Sequence, residues 1–300
     1  MIQALETVHL SKQYGRKWAL YDCTLQIPLG CIAGLVGPNG AGKTTLLHLA
    51  TGLLAPSRGT ISVLGQTPGK DAQELLPRLG FVSQDHPVYK NFTVKEMLTL
   101  GQKLNRHWNQ ELALQRLDRL RIPLAQRTGK LSGGQQAQVA LILALAKQPE
   151  FLLLDEPVAS LDPIARREFQ QVLLDAVAEH AMTVLISSHN IADLERFCDY
   201  LVILSTSQVQ ITGRVDDLLQ SHKLLIGPRE RLESVGKTHT ILSVSGGGRQ
   251  CALLVRTHGP VLDPVWEVRP VSLEDIIMAY LVQSPSAVVG RDKKHLEVTQ

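Results

Sequence analysis

The stretch Gly37-Pro-Asn-Gly-Ala-Gly-Lys-Thr-Thr45 decides the fold of this 300-residue chain. Its first eight residues fit the pattern G-x-x-x-x-G-K-[ST], in which glycines let successive backbone N–H groups point at a phosphate. The stretch follows an apolar run, Cys31–Val36, and precedes a helical run, Thr45–Ala50. A strand that leads through such a loop into a helix N-terminus is the context that a phosphate site requires. In this interpretation Lys43 reaches the β- and γ-phosphates, and the Thr44 hydroxyl faces Mg²⁺.

Apolar runs elsewhere in the chain predict the sheet around this loop. Four of them have the length and composition of buried parallel strands: Cys31–Val36, Phe151–Leu154, Thr183–Ile186 and Tyr200–Leu204. Helical patterns at Arg166–Ala178 and Ile191–Phe197 lie between them. This alternation predicts an α/β fold with a mostly parallel sheet. Residues 2–10 and 60–64 are typical of half-exposed antiparallel strands, so we expect a mixed sheet.

The composition changes twice along the chain. Residues 93–127 contain no strand candidate and predict a helical insertion whose charges form a solvated face. After Gly213, residues 222–268 predict short strands, with a hairpin turn at 245–248. A final helix is expected from Ser272, where Ser-Leu-Glu-Asp fits a capping box. We therefore predict a nucleotide-binding domain over residues 1–213 and a small α+β appendage over residues 214–300.

Bulk composition excludes several other classes of protein. The net charge of +3, without clustered basic and aromatic residues, does not favour nucleic acid as a partner. The four cysteines are scattered and form no CxxC pair, so we expect reduced thiols and no metal site built from them. The N-terminus does not have the pattern of a signal peptide. No apolar run approaches the ~18 residues that span a bilayer, so any membrane role is expected to involve a partner.

A second chemical motif, Phe151-Leu-Leu-Leu-Asp-Glu156, is an apolar strand that ends in two carboxylates. Ligands in open α/β sheets bind at the carboxyl ends of the strands. Asp155 is suited to hold the Mg²⁺ environment. Glu156 could orient and deprotonate the attacking water.

Together with further motifs, these two stretches resemble the ATP-binding cassette (ABC) ATPase family over about residues 1–213. Leu131-Ser-Gly-Gly-Gln135 resembles the family signature, and Ser160-Leu-Asp-Pro163 resembles the D-loop, which places Asp162 at a dimer seam. Gln84 resembles the Q-loop glutamine, which contacts Mg²⁺ and water and senses the membrane partner. His189 resembles the switch histidine that contacts the γ-phosphate, and Tyr14 the aromatic residue that stacks on adenine.

The resemblance implies a set of site residues and cofactors. The cofactors are ATP and Mg²⁺, and the catalytic residues are Glu156, His189 and Gln84. Thr44, Gln84 and Asp155 would form the metal environment. The nucleotide would contact Tyr14, Gly37, Pro38, Asn39, Gly40, Ala41, Gly42, Lys43, Thr44 and Thr45. The ATP of an opposite protomer would contact Leu131, Ser132, Gly133, Gly134 and Gln135.

The resemblance also implies an architecture and a function. The fold is that of a P-loop NTPase, an ABC ATPase with a mixed sheet and a helical signature subdomain at about residues 85–140. Two such domains, identical or related, pack head to tail around two ATP molecules. A single domain with a helical insertion resembles the ATPase subunit of a transporter on the cytoplasmic face of the cell membrane, with separate permease subunits. The alternative is a soluble ABC ATPase that acts on a ribosomal or nucleic-acid complex.

Two details refine this expectation. Pro270-Val-Ser-Leu-Glu-Asp275 resembles the short helix that closes many exporter-type subunits, which favours export over import. Family members commonly carry basic residues just after the signature, where this chain has Gln136 and Gln138, and often another at the position of Leu143. We therefore predict weaker charge-based anchoring of the signature helix and slower hydrolysis.

Overall fold

The computed structural model of the chain describes residues 2–86 and 88–282. Its contacts divide the chain into two compact units, Met1–Val215 and Asp216–Gln300. This division lies close to the predicted boundary after residue 213. The predicted appendage includes residues 283–300, which lie outside the described residues.

The first unit contains the four predicted parallel strands together with further strands. Its strands are β1 (Gln3–Tyr14), β2 (Lys17–Pro28), β3 (Ile32–Val36), β4 (Arg58–Val63), β5 (Leu79–Val82), β6 (Phe151–Asp155), β7 (Thr183–Ser188), β8 (Tyr200–Ser205) and β9 (Gln208–Arg214). The four predicted strands are β3, β6, β7 and β8. Its helices are α1 (Lys43–Ala50), α2 (Ala72–Leu75), α3 (Val94–Leu104), α4 (Gln110–Arg119), α5 (Gly133–Leu145), α6 (Pro163–Glu179) and α7 (Ile191–Leu194).

The central sheet has the order β5-β6-β7-β3-β8-β9 among the described strands. All pairs are parallel except β8 with β9. Strands β3, β6 and β7 are buried along their whole length, which is why each reads as a continuous apolar run. Because these three strands are neighbours and parallel, the loops after Val36, Asp155 and Ser188 emerge side by side at one edge of the sheet. The α/β fold with a mixed sheet is confirmed.

A second sheet, β2-β1-β4, is antiparallel, as predicted for residues 2–10 and 60–64. Strand β1 continues to Tyr14, which lies opposite Lys17 at the turn into β2. The side chains of Leu5, Leu10 and Ile27 are fully buried in the core that this sheet shares with α1. The pairing therefore brings Tyr14 to the end of a buried hairpin.

The helical insertion forms α3 and α4. Thr93 and Glu96 make a reciprocal capping box that begins α3. Apolar residues of both helices, including Leu98 and Leu117, pack with Ile142 of α5 into a separate core. The predicted helix Ile191–Phe197 is shorter than expected, because backbone N–H groups of Phe197 and Cys198 both turn back to the carbonyl of Leu194.

The second unit is a small α+β structure. Its elements are α8 (Val215–Ser221), β10 (His222–Pro228), α9 (Leu232–Thr238), β11 (Thr240–Ser245), β12 (Gln250–Arg256), β13 (Glu267–Arg269) and α10 (Leu273–Val282). The strands form an antiparallel sheet in the order β11-β12-β10-β13. Between β11 and β12, Gly246 and Gly248 adopt positive φ, as the hairpin turn requires. Ser272 caps α10 through Asp275. The sequence did not indicate α9, because Val235 is its one buried residue in the described structure and its N-terminus has no side-chain cap.

Candidate active site

The phosphate loop connects β3 to α1 with no room for side chains at two positions. Gly42 has φ 109° and is the N-cap of α1. A Cβ atom on Gly42 would collide with the carbonyl of Ala19 and the side chain of Leu20, and one on Gly37 would collide with the carbonyl of Leu204. Only glycine fits these positions, which give the loop the close-packed path that leads to a helix N-terminus, where an anion can bind.

Lys43 supplies the positive charge of this loop. Its side chain is only 5% exposed. The ammonium donates hydrogen bonds to the carbonyl of Gly37 at 2.7 Å and of Pro38 at 3.3 Å. It also lies 3.1 Å from Glu156 Oε1. A buried cation held between the loop and a carboxylate is suited to receive a phosphate oxygen.

Two carboxylates at the end of β6 have different surroundings. Asp155 is buried and accepts a hydrogen bond of 2.7 Å from the hydroxyl of Ser187. The same hydroxyl accepts a hydrogen bond from the backbone N–H of Glu156. Glu156 has φ 44°, a left-handed conformation that costs a non-glycine residue on the order of 1 kcal/mol or more. The side chain of Glu156 lines the cleft beside Lys43.

His189 contacts the second oxygen of the same carboxylate. Its Nδ1 lies 2.6 Å from Glu156 Oε2, and its side chain is about half exposed. Glu156 is therefore held between a cation and an imidazole, and each partner contacts a different oxygen. This geometry can orient the carboxylate and give its proton an outlet through the imidazole.

Lys43, Glu156 and His189 line one cleft of about 550 Å³, a volume that fits within the usual ~300–1,000 Å³ of small-molecule sites, whereas Asp155 is not among its described lining residues. Its lining comprises Tyr14, Lys17, Ala19, Asn39, Gly40, Gly42, Lys43, Thr44, Thr45, Gln84, Glu156, Ala159 and His189. The sequence did not indicate Lys17, which enters the cleft because it pairs with Tyr14 across the β1–β2 turn. The two residues flank the two-residue turn Gly15-Arg16, a local hairpin signal that could have indicated Lys17.

The residues present fit a Mg²⁺ ion that is partly held by a substrate. The described residues contain no group of three or more His, Cys, Asp or Glu side chains that could hold a metal alone. Thr44, Gln84 and Asp155 offer a hydroxyl, an amide and a carboxylate, which are the oxygen ligands that Mg²⁺ prefers in combination with phosphates. Their roles stay predictions.

A second group of predicted residues lies elsewhere. In the described structure, neither residues 131–135 nor Asp162 are among the lining of the cleft. Ser132 is the N-cap of α5 and makes a reciprocal capping box with Gln135. A Cβ atom on Gly133 would meet nothing within 4 Å, so the backbone is open there. Asp162 caps α6 through the N–H groups of Ile164 and Ala165.

The helix that follows the signature is anchored by neutral side chains. Gln138 is buried, and its amide donates a hydrogen bond of 2.9 Å to Glu168 on α6. Gln136 donates to the carbonyl of Leu131. Leu143 packs against the core of the helical insertion. The predicted absence of positive charge is thus partly compensated by an amide–carboxylate contact.

An apolar groove of about 660 Å³ lies in the first unit between the central sheet and the helical insertion. Its lining includes Leu53, Leu76, Phe81, Met97, Leu100, Leu104, Trp108 and Leu143. Leu53 and Leu104 are more than half exposed, at 65% and 73%. Exposed apolar side chains gathered in a groove are typical of a docking surface for another polypeptide. Separately, no described helix combines the length and hydropathy needed to cross a bilayer.

Comparisons with known proteins identify the family of this chain. Residues 20–159 match the family model described as ABC transporter. The chain is 28% identical to the ABC transporter ATP-binding protein YtrB of Bacillus subtilis over 289 residues, which is 92% of this chain and 97% of that protein. It is 34% identical over 259 residues to the Nod factor export ATP-binding protein I of Sinorhizobium fredii, covering 81% of this chain and 74% of that protein. It is also 32% identical over 216 residues to the sulfate/thiosulfate import ATP-binding protein CysA of Mesostigma viride, covering 70% of this chain and 62% of that protein.

Solved structures give the same result. A structure described as the ATP binding subunit of an ABC transporter has a TM-score of 0.64 and 29% identity, over 72% of this chain and 92% of that one. The dimeric structure of MJ0796, described as a bacterial ABC transporter cassette, has a TM-score of 0.62 and 26% identity, over 70% of this chain and 98% of that one. The fold of the first unit is therefore that of an ABC ATPase cassette.

Proposed function

The chain belongs to the ABC transporter family as an ATP-binding subunit, and we propose that it hydrolyses Mg-ATP to drive export through separate membrane subunits. The observation that carries the proposal is the contact of Glu156 with both Lys43 and His189 inside the phosphate-loop cleft. Family membership implies ATP hydrolysis. The dependence on Mg²⁺, the coupling to transport and its direction are the proposed part.

Each residue has a role in the proposed reaction. Tyr14 stacks on the adenine ring, and the phosphate loop with Lys43 binds the triphosphate. Thr44, Asp155 and Gln84 hold Mg²⁺, which when bound supplies positive charge to the phosphate oxygens. Glu156 takes a proton from water, and the hydroxide forms a bond to the γ-phosphorus while the bond to the β-phosphate bridging oxygen breaks. The products are ADP and inorganic phosphate.

The exposed position of the signature turn supports a dimer of two cassettes. Ser132, Gly133 and Gly134 are not among the residues that line the described cleft with Lys43, which supports a role at the nucleotide of another protomer. The relative MJ0796 has been solved as a dimer. We propose a dimer here as well, in a head-to-tail arrangement with either a second copy or a related cassette.

The membrane partner is proposed from the apolar groove beside the helical insertion. Its exposed leucines would be covered by a segment of a permease, and the subunit would then lie on the cytoplasmic face of the cell membrane. Export is favoured by the Ser272–Asp275 helix start, whereas the relatives include proteins named for export and proteins named for import.

Two measurements test the proposal. The purified protein should hydrolyse ATP in the presence of Mg²⁺ and lose that activity in EDTA. Affinity purification from membranes should recover a polytopic membrane protein. Recovery of ribosomal or nucleic-acid partners instead would favour the soluble alternative.

Direction needs a cellular test. If the chain drives export, cells that lack its ATPase activity should become more sensitive to a compound that the transporter removes. Failure to grow on a limiting nutrient, without such sensitivity, would indicate import.

A further inference from the structure

A buried histidine connects two parts of the site that the sequence treats as separate. His86 lies two residues after Gln84 and is only 7% exposed. Its Nε2 atom lies 2.8 Å from the backbone carbonyl of Pro157, the residue directly after Glu156. Since a carbonyl can only accept, Nε2 carries the hydrogen of this bond.

The bond joins segments that are otherwise far apart in the chain. His86 and Pro157 are separated by 71 positions. Gln84 follows β5 and Glu156 follows β6, and these strands are parallel neighbours in the sheet. The side chain of His86 thus bridges the two loops that carry a predicted metal ligand and the predicted base.

His86 and Glu156, the residue before Pro157, both have an unusual backbone conformation. His86 has φ 43° and Glu156 has φ 44°, in the left-handed region that non-glycine residues rarely adopt. Such conformations persist only where surrounding contacts impose them. On the other side, the backbone N–H of Glu156 is fixed by the Ser187 hydroxyl at 2.8 Å. The carbonyl of Pro157, one peptide unit beyond the one that joins Glu156 to Pro157, is fixed by His86, so hydrogen bonds hold the chain on both sides of Glu156.

We propose that His86 is a positioning residue for Glu156, acting through its hydrogen bond to the carbonyl of Pro157. This inference deepens the proposed function and rests on it. His86 is not among the residues that line the described cleft, so it acts on the carboxylate and not on the nucleotide. Loss of the bond should misplace the base while leaving nucleotide binding intact.

Two substitutions separate the hydrogen bond from the packing. His86→Phe keeps a ring of similar size and removes the donor. His86→Gln has a smaller side chain and keeps an N–H donor. We expect kcat to fall about tenfold in His86→Phe and to recover at least partly in His86→Gln, because small displacements of a catalytic group cost rate steeply. KM for ATP and affinity for a fluorescent ATP analogue should change less than twofold in both, within about the error of such measurements.

The matched control is His9→Phe. His9 is also a histidine in the left-handed region, with φ 51° and a side-chain hydrogen bond, here to Asp22. Its side chain is exposed and is not among the lining of the described cleft. We expect wild-type kcat from this variant.

A second readout distinguishes positioning from a folding defect. A slower base should prolong the life of the ATP-bound dimer, whereas damaged packing should shorten it. Size-exclusion chromatography with Mg-ATP should therefore show more dimer in His86→Phe than in wild type.

The outcomes are distinct. A wild type that does not hydrolyse Mg-ATP would overturn the proposed function and this inference together. An active wild type with unchanged kcat in His86→Phe would overturn the inference alone. So would equal losses in His86→Phe and His86→Gln, or a loss of ATP affinity matching the loss of rate.

Discussion

The two glycine-rich turns of the cassette, Gly37–Thr44 and Leu131–Gln135, both precede helices but have different surroundings. The first lies beside a buried ammonium, the carboxylate of Glu156 and an imidazole. The second has neutral side chains, and its capping box already satisfies donors at the helix start. A Cβ atom on Gly42 would collide with its neighbours, whereas one on Gly133 would meet nothing. In the proposed reaction the first turn binds the nucleotide, and the second turn completes the site of another molecule.

The largest effect is expected from Glu156→Gln, which removes the base and keeps the shape of the first site. Hydrolysis should fall by about a thousandfold, within the range for loss of a general base. ATP should still bind and should trap a stable dimer, which is measured by size-exclusion chromatography.

Glu150→Gln is the matched control, because Glu150 lies just before β6 and pairs with Arg78, while Glu156 lies just after it. It should hydrolyse ATP normally. Wild-type turnover in Glu156→Gln would show that another group is the base.

Gly133→Asp should break the second turn without disturbing the first. The added side chain has space in the monomer but places negative charge where a γ-phosphate would lie. We expect hydrolysis to fall about a hundredfold, as for loss of donors to a developing charge. Affinity of the monomer for a fluorescent ATP analogue should not change.

The control is Gly259→Asp, since a Cβ atom there also meets nothing within 4 Å. If Gly133→Asp still forms the ATP-bound dimer and hydrolyses ATP, the signature turn does not serve a partner's nucleotide.

Lys43→Ala should weaken the binding of nucleotide at the first turn, which Gly133→Asp leaves unchanged. Nucleotide affinity should fall by about tenfold to a hundredfold, because the ammonium makes charge-assisted hydrogen bonds of ~1.5–3 kcal/mol. Titration of the fluorescent analogue measures this, and the exposed Lys70→Ala provides the comparison. Equal affinities of the two variants would contradict the assignment of the loop.

The difference between local and long-range signals explains what could be predicted. The phosphate loop, the apolar strands and the capping box at Ser272 depend on neighbouring residues, and the sequence displays them directly. The bond of His86 to Pro157 depends on which strands are adjacent. In the described structure, helix α9 has one buried side chain, that of Val235, so its sequence has no extended helical pattern of apolar residues. Nothing in the sequence near an isolated histidine identifies its hydrogen-bond partner, so the bond of His86 to Pro157 could not be predicted.

The smallest expected effect concerns the helix behind the second turn. Gln138 donates to Glu168 at 2.9 Å, and Gln138→Arg would convert this contact into an ion pair with a surface carboxylate. Such pairs contribute up to ~1 kcal/mol, so we expect the ATPase rate to rise by about twofold. Leu143→Arg in addition should raise the rate further only if its charge outweighs the apolar contacts that Leu143 makes with the helical core. The gain from Gln138→Arg should disappear in a Glu168→Gln background. If neither Gln138→Arg nor the double variant is faster, neutral anchoring of this helix does not limit hydrolysis, and the second turn contributes through its backbone alone.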